Sequence, residues 1–205
     1  DPTDAPEGVS IYDFANQVAG ERLQLRMLEK LGFDNTYAIA VVGKTAEAYA
    51  PKTVSDLIPI AGNLVFGAEH EFFTQEGSMN YGPFTEFYGL KFKDTLSVDV
   101  SLKYAAAEKE SFDVTEVYAT DGLNRKAGLT VLEDDRNFFP DYNGAFLLRE
   151  DTPERFPGLE ETLGLLAGQI SNEDMVEMTY QVDVEKRTVD DVAKEFLVSR
   201  GLLAA

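Results

Sequence analysis

The stretch from Phe92 to Thr120 limits the fold of this chain more than any other part of the sequence. It divides into FKDTLSVD, VSLKYAAAEKES and FDVTEVYAT, which have the residue patterns of a strand, a helix and a second strand. A helix that links two strands in this way is a crossover connection, and crossover connections join parallel strands. The sequence therefore predicts an α/β fold built on a parallel sheet.

The rest of the chain continues this alternation. Ser10 is a candidate cap for a long helix that runs to Lys30 and closes at Gly32. The helices after Thr152 include two with candidate caps, at Ser171 and Thr188. The remaining strands are predicted at residues 37–42, from residue 64, at residues 128–135 and after Pro140. At least four strands therefore alternate with helices.

Composition excludes several functional classes. The 205 residues include no cysteine, so thiolate metal sites, iron–sulfur clusters and cysteine nucleophiles are ruled out. The one histidine, His70, excludes metal sites with several histidines, and its sequence context favours a structural or surface position over a catalytic one. A net charge of −19 argues against nucleic-acid binding, which requires clustered cations. No Gly-rich phosphate loop is present.

Three tyrosines lie beside predicted strand ends, where open α/β sheets hold their ligands. They are Tyr37, Tyr118 and Tyr142. If they converge, their rings form an aromatic box of the kind that binds a quaternary ammonium group through cation–π attraction. The alternative is that each ring is an ordinary core or rim aromatic with a satisfied hydroxyl. Their spacing alone does not choose between these readings.

Seven segments together resemble one protein family in order and spacing. They are GFDNTYAIAV (32–41), TVSDL (53–57), LVFGAEHEFFTQ (64–75), YGLKFKD (88–94), VYATDGLN (117–124), VLEDDRNFFPDYNGAFLLRED (131–151) and ISNEDMVEMTYQVDVEKRTVDDVAKEFL (170–197). The family is the substrate-binding component of osmoprotection ABC transporters, which take up glycine betaine, choline or carnitine. The resemblance extends from about Gly32 to Leu203.

The resemblance implies a periplasmic-binding-protein-like (type II) fold with two α/β lobes. Residues 36–141 would form a complete lobe II, and residues 1–35 and 142–205 a partial, mostly helical lobe I. The resemblance also implies that the family's N-terminal part of lobe I is missing from this sequence. Lobe I helices without it would expose apolar faces, which oligomerisation or strand exchange would cover.

The resemblance also implies the site and its function. Tyr37, Tyr118 and Tyr142 match the family's cage positions, and Asn35 matches a polar ligand contact. Gln75 falls where some members place an arginine for the ligand carboxylate, which keeps choline open as a ligand. The expected function is binding of a quaternary ammonium solute outside the cytoplasm and its delivery to a membrane permease, without catalysis, metal or cofactor.

Two other functions stay open from the residues. One is an interaction module or fragment domain of such a transporter that binds no ligand. The other is an enzyme of small-molecule metabolism, supported only by the α/β fold class, which does not specify a function.

Overall fold

The computed structural model describes residues 4–74 and 77–204, and its strands form two sheets. The strands are β1 (Leu25–Met27), β2 (Tyr37–Val41), β3 (Val65–Glu69), β4 (Asp94–Val98), β5 (Val114–Tyr118), β6 (Thr130–Val131) and β7 (Leu147–Arg149). Strands β1 and β7 pair with each other, and the other five form one sheet in the order β4-β3-β5-β2-β6.

The five-stranded sheet is mixed, so the prediction of a parallel sheet is only partly correct. Strand β3 runs parallel to both β4 and β5, so β4 and β5 are parallel to each other, which confirms the crossover connection between them. The two strands are not neighbours, because β3 lies between them in the sheet. Strand β2 is antiparallel to β5 and to β6. The apolar run of β2 does not reveal the direction of the strand, because the connections between strands set that direction and hydrophobic content does not.

The α-helices of the described residues make up most of the C-terminal part. They are α1 (Ile11–Leu23), α2 (Gly43–Tyr49), α3 (His70–Thr74), α4 (Tyr81–Tyr88), α5 (Lys103–Glu108), α6 (Leu123–Lys126), α7 (Thr152–Arg155), α8 (Leu159–Gly164), α9 (Asn172–Asp183) and α10 (Val189–Ser199). Short 3₁₀ turns cover Val54–Leu57, Ala61–Asn63 and Val100–Leu102. None of the helices in residues 4–74 and 77–204 has the length and apolar content that a membrane crossing requires.

The first helix is shorter than predicted. It begins after Ser10, whose side chain accepts a hydrogen bond from the Asp13 backbone as expected, but it ends at Leu23 instead of continuing to Lys30. Gln24 adopts the left-handed conformation that terminates helices, and the chain then enters β1. Residues Leu25–Met27 form a strand instead of continuing the helix because they pair with β7, which lies more than 100 residues away in the sequence.

The buried hydrophobic clusters all lie within the central part of the chain. Every residue assigned to them falls between Ala38 and Phe139. Outside this range, the buried hydrophobic side chains among the described residues are Leu31, Ile170 and Val192. The same outer segments expose large apolar side chains, namely Val9, Leu23, Leu147, Phe156, Leu165, Val189 and Leu203. The β1–β7 ladder and its helices therefore have little core of their own.

Candidate functional site

Tyr37 and Tyr118 form a stacked aromatic pair at one edge of the five-stranded sheet. They are direct cross-strand partners at the first residue of β2 and the last residue of β5. Their ring centroids are 5.1 Å apart and the ring planes differ by 27°. The antiparallel direction of β2 creates this pair, because it brings the start of β2 to the edge where β5 ends.

The two rings differ in exposure. Tyr37 is partly buried, and its ring meets Phe72 and Phe139 edge-on at centroid distances of 6.0 and 6.1 Å. Burial raises the pKa of the Tyr37 phenol, and a hydrogen bond with Tyr118 raises it further, so the phenol stays neutral. Tyr118 is 42% exposed, so part of its ring faces solvent while the ring stacks on the more buried Tyr37.

Asn35 and Tyr142 lie beside each other, next to the end of β5. The Asn35 backbone N–H donates to the Tyr142 carbonyl at 3.1 Å. The Asn35 side-chain oxygen accepts a hydrogen bond of 2.6 Å from the Thr120 hydroxyl, two residues beyond Tyr118. The Tyr142 ring is 60% exposed, and among the described residues no aromatic ring contacts it. Asn35 therefore connects the segment that carries Tyr142 to the segment that carries Tyr118.

Two chain segments, residues 34–36 and 140–143, run side by side at this site. Asp34 and Asn143 form an isolated antiparallel bridge, and the Asp34 carboxylate accepts the Tyr142 backbone N–H at 2.5 Å. The Thr36 hydroxyl donates to the Pro140 carbonyl at 2.7 Å. Four of the five predicted site residues therefore lie on or next to this pair of segments. The fifth, Gln75, lies outside the described residues.

The loop after β5 also contacts the C-terminal helix α9. The Gly122 backbone N–H donates to the Thr179 hydroxyl at 2.9 Å, and that hydroxyl lies 3.1 Å from the Thr120 carbonyl. The approach is so close that a Cβ at Gly122 would lie 2.3 Å from the Tyr180 backbone nitrogen. Only glycine fits this contact without displacing the helix.

A buried ionic cluster, which was not predicted from the sequence, lies beneath the tyrosine pair. The Lys103 ammonium lies 2.7 Å from Glu69 Oε1 and 2.8 Å from Glu116 Oε1. Lys103 is 2% exposed and Glu116 is fully buried. The ammonium is also 5.9 Å from the Tyr118 ring centroid and 5.6 Å from that of Tyr104. One signal was available in the sequence, since Glu116 interrupts the apolar strand VTEVY and a buried charge needs a partner.

The groups of this cluster shift one another's ionisation. Burial, with Glu69 alongside, raises the pKa of Glu116 to about 9. Burial alone would raise the pKa of Glu69, but hydrogen bonds with Glu116 and Lys103 hold it below its usual value. Burial would lower the pKa of Lys103, yet the two glutamates raise it on balance. Lys103 and Glu69 therefore form the charged pair of the cluster at neutral pH.

His70 is exposed on the first turn of α3, which confirms its predicted surface position.

Comparison with known families decides the assignment. The substrate-binding domain of ABC-type glycine betaine transport systems matches this sequence over residues 5–199. The chain belongs to this family. The match confirms the resemblance found in the sequence, and it identifies a family of substrate-binding domains instead of enzymes.

Individual members of the glycine betaine-binding family agree with this assignment. The chain is 34% identical over 172 residues to the ergothioneine transport permease/ergothioneine binding protein EgtU of Helicobacter pylori (strain G27), which covers 84% of this chain and 31% of that protein. It is 33% identical over 177 residues to the carnitine transport binding protein OpuCC of Listeria monocytogenes, which covers 86% of this chain and 57% of that protein. The chain thus spans less than two thirds of the length of these relatives.

Solved structures of the family share the fold. A crystal structure titled as a glycine betaine/carnitine/choline ABC transporter superposes with a TM-score of 0.84 at 30% identity, covering 98% of this chain and 71% of that chain. Apo YehZ from Escherichia coli superposes with a TM-score of 0.75 at 22% identity, covering 94% of this chain and 72% of that chain. The predicted α/β, periplasmic-binding-protein-like fold is therefore confirmed.

Proposed function

We propose that this chain binds a solute with a quaternary ammonium group and delivers it to the permease of an ABC transporter on the outer side of the membrane. The stacked pair of Tyr37 and Tyr118 carries this proposal. A quaternary ammonium ion cannot lose its charge and has no N–H to donate, so aromatic faces suit it better than hydrogen-bond acceptors do. The neutral Tyr37 phenol and the exposed Tyr118 ring supply such faces.

In the proposed site, the ammonium head lies between the stacked pair and the exposed ring of Tyr142. The stacked pair forms one wall of the cage, and Tyr142 closes the other side from the adjoining segment. Two ring faces, one from the stacked pair and one from Tyr142, at about 1–2 kcal/mol each give roughly 2–4 kcal/mol, which corresponds to dissociation constants of about a millimolar to tens of millimolar. Tighter binding requires contacts beyond the three rings.

The polar end of the solute distinguishes the candidate ligands. Relatives are named for ergothioneine, carnitine and glycine betaine, which share a trimethylammonium group. We propose glycine betaine, choline or carnitine for this chain, with Asn35 and Gln75 as the polar contacts. Both residues carry amides, which can hydrogen-bond to a carboxylate or to a hydroxyl.

We also propose that the chain has two lobes, with the solute bound where they meet. Residues 36–141 would form lobe II, and residues 1–35 and 142–205 would form part of lobe I. The position of the core supports this division, because every buried hydrophobic cluster lies within the lobe II range. The two segments that carry Asn35 and Tyr142 are then the crossings between the lobes.

We propose that the proposed lobe I, which has little core of its own, associates with a second copy by oligomerisation or by strand exchange at the β1–β7 ladder. Sedimentation equilibrium of the chain is expected to give a mass that rises with concentration above that of a monomer. Replacing the exposed Leu147 of β7 by lysine is expected to shift the equilibrium towards monomer. A monomeric mass at every concentration would contradict this part of the proposal.

Calorimetric titration tests the binding proposal directly. Glycine betaine, choline and carnitine are the ligands, and proline, which has no trimethylammonium group, is the control. Saturable heat is expected for at least one of the three, with a dissociation constant of about a millimolar or tighter where polar contacts add to the rings, and none for proline. Absence of heat with all three would instead support a ligand-free interaction or fragment domain.

A further inference from the structure

The buried cluster of Glu69, Lys103 and Glu116 holds two carboxyl groups against one ammonium group. Both carboxyl groups are within hydrogen-bond distance of the Lys103 ammonium, and the Glu116 side chain is fully buried. A buried charge is stable only when it is paired. One ammonium balances one carboxylate, so the cluster is electrically neutral only if the second carboxyl group is protonated.

The geometry indicates where that proton lies. Glu69 Oε1 and Glu116 Oε1 both lie within hydrogen-bond distance of the single Lys103 ammonium, so the two carboxyl groups are close neighbours. Two negative charges this close in the protein interior disfavour each other, so one of the two carboxyl groups holds a proton. Glu116 is the more deeply buried of the two, and its pKa is raised to about 9. Glu116 therefore holds the proton at neutral pH.

The cluster lies directly below the tyrosine pair. Glu116 is two residues before Tyr118 on the same face of β5, and their cross-strand partners on β2 are Ile39 and Tyr37. The Lys103 ammonium faces the Tyr118 ring. A charge that appears on Glu116 would therefore act on a cation at the tyrosine pair through protein interior, where electrostatic interactions are weakly screened.

We propose that Glu116 is a specificity-determining residue of the tyrosine site, whose proton keeps the underlying cluster neutral and whose ionisation strengthens the binding of cationic solutes. This inference rests on the proposed function. It makes the affinity for a permanent cation rise with pH, although the charge of the cation itself does not change.

The groups that face Glu116 keep their charge while it titrates. Glu69 of β3 has a lowered pKa and remains anionic, and Lys103 of α5 has a raised pKa and remains cationic. Burial raises the pKa of Tyr104, also on α5, and its hydroxyl donates to Asp121. Burial likewise raises the pKa of Tyr37 on β2. Tyr118 lies on the same strand as Glu116, and the variant Tyr118→Phe/Tyr142→Phe tests whether its phenol contributes to the pH dependence.

The test is the choline affinity of the wild type and of Glu116→Gln at pH about 7 and about 10. Choline is used because its charge does not change with pH. The wild type is expected to bind about three- to tenfold more tightly at the higher pH, as one added negative charge at about 10 Å would cause. Glu116→Gln mimics the protonated side chain, so it should match the wild type at pH about 7 and show no rise.

Two controls separate Glu116 from other titrating groups. Glu47→Gln changes an exposed glutamate on α2 and should keep the rise of the wild type. Tyr118→Phe/Tyr142→Phe retains both rings but removes their phenols, so it should also keep the rise. Loss of the rise in the phenylalanine variant would assign it to the phenols and overturn the proposal.

The remaining outcomes distinguish this inference from the proposed function. Choline binding with the same pH dependence in wild type and Glu116→Gln would overturn the inference alone. No binding of choline, glycine betaine or carnitine at either pH would overturn both. Infrared spectra give a readout without ligand: the wild type at neutral pH should show the carbonyl band of a protonated carboxyl group, and Glu116→Gln should lack it. Absence of this band from the wild type would overturn the inference.

Discussion

Replacing Tyr118 by alanine is expected to weaken choline binding about two- to thirtyfold. The substitution removes one cation–π face, worth roughly 0.5–2 kcal/mol. The stacking of Tyr118 on Tyr37 is lost from the free and the bound protein alike, so it does not add to this difference. The measurement is calorimetric titration of the wild type and of Tyr118→Ala with choline.

Two matched variants show whether the effect belongs to this ring. Tyr118→Phe keeps the aromatic face and is expected to retain most of the affinity, since the phenol oxygen contributes little to cation–π attraction. Tyr49→Ala removes an exposed tyrosine from α2 and should leave binding unchanged. Unchanged choline binding by Tyr118→Ala would rule out the tyrosine site as the place where the cation binds.

Replacing Lys103 by methionine is expected to lower the free energy of unfolding by about 3–5 kcal/mol at neutral pH. Methionine fills much of the same space but leaves the carboxyl groups of Glu69 and Glu116 buried without a cation. Removing one partner of a buried ion pair costs more than removing an exposed pair, because the remaining charge stays out of water. Urea denaturation followed by circular dichroism measures the change.

The cost of Lys103→Met should depend on pH in a defined direction. Without the ammonium, the folded-state pKa values of the two glutamates lie above their unfolded values of about 4.3. The folded variant then binds more protons than the unfolded chain between these values, so its stability falls as pH rises. The loss relative to wild type is therefore smallest near pH 4 and larger at neutral pH.

Lys126→Met is the matched control for this prediction. Lys126 is exposed on α6 and makes one ion pair, at 3.6 Å, with the exposed Glu108. Surface pairs of this kind contribute little to stability, so the control should cost much less than Lys103→Met. An equal cost in the two variants would contradict the view that the buried cluster depends on its ammonium.

Local features of the fold could be predicted from sequence because neighbouring residues determine them. Ser171 and Asp174 form the expected capping box of α9, and the Thr188 side chain caps α10 as expected. These caps require only a side-chain oxygen and a backbone N–H three residues apart. The crossover between β4 and β5 was predictable for a similar reason, since strand and helix periodicities alternate within 29 residues of continuous sequence, from Phe92 to Thr120.

The features that escaped prediction depend on distant partners. Leu25–Met27 has helical spacing but forms a strand, because β7 supplies hydrogen bonds that the local sequence does not reveal. The direction of β2 is likewise set by its neighbours in the sheet. The Lys103 cluster brings together β3, α5 and β5, and no short sequence window contains all three members.

The candidate site could be predicted only in part from the sequence. Spacing placed the tyrosines beside strand ends, but it could not determine that Tyr37 and Tyr118 stack whereas the Tyr142 ring stays apart. That difference follows from the register of β2 against β5, which pairs Tyr37 with Tyr118. The role of these residues as a cage stays a prediction, which the Tyr118 variants test.

The side-by-side arrangement of residues 34–36 and 140–143 has a mechanical consequence. Two connections fastened to each other at Asp34–Asn143 and at Thr36–Pro140 resist sliding but permit twisting about their common direction. If these segments are the proposed crossings between two lobes, Asn35 and Tyr142 are expected to be displaced little by such a twist, because both lie within the fastened segments. A solute that contacts both residues would then keep those contacts while the proposed lobes move.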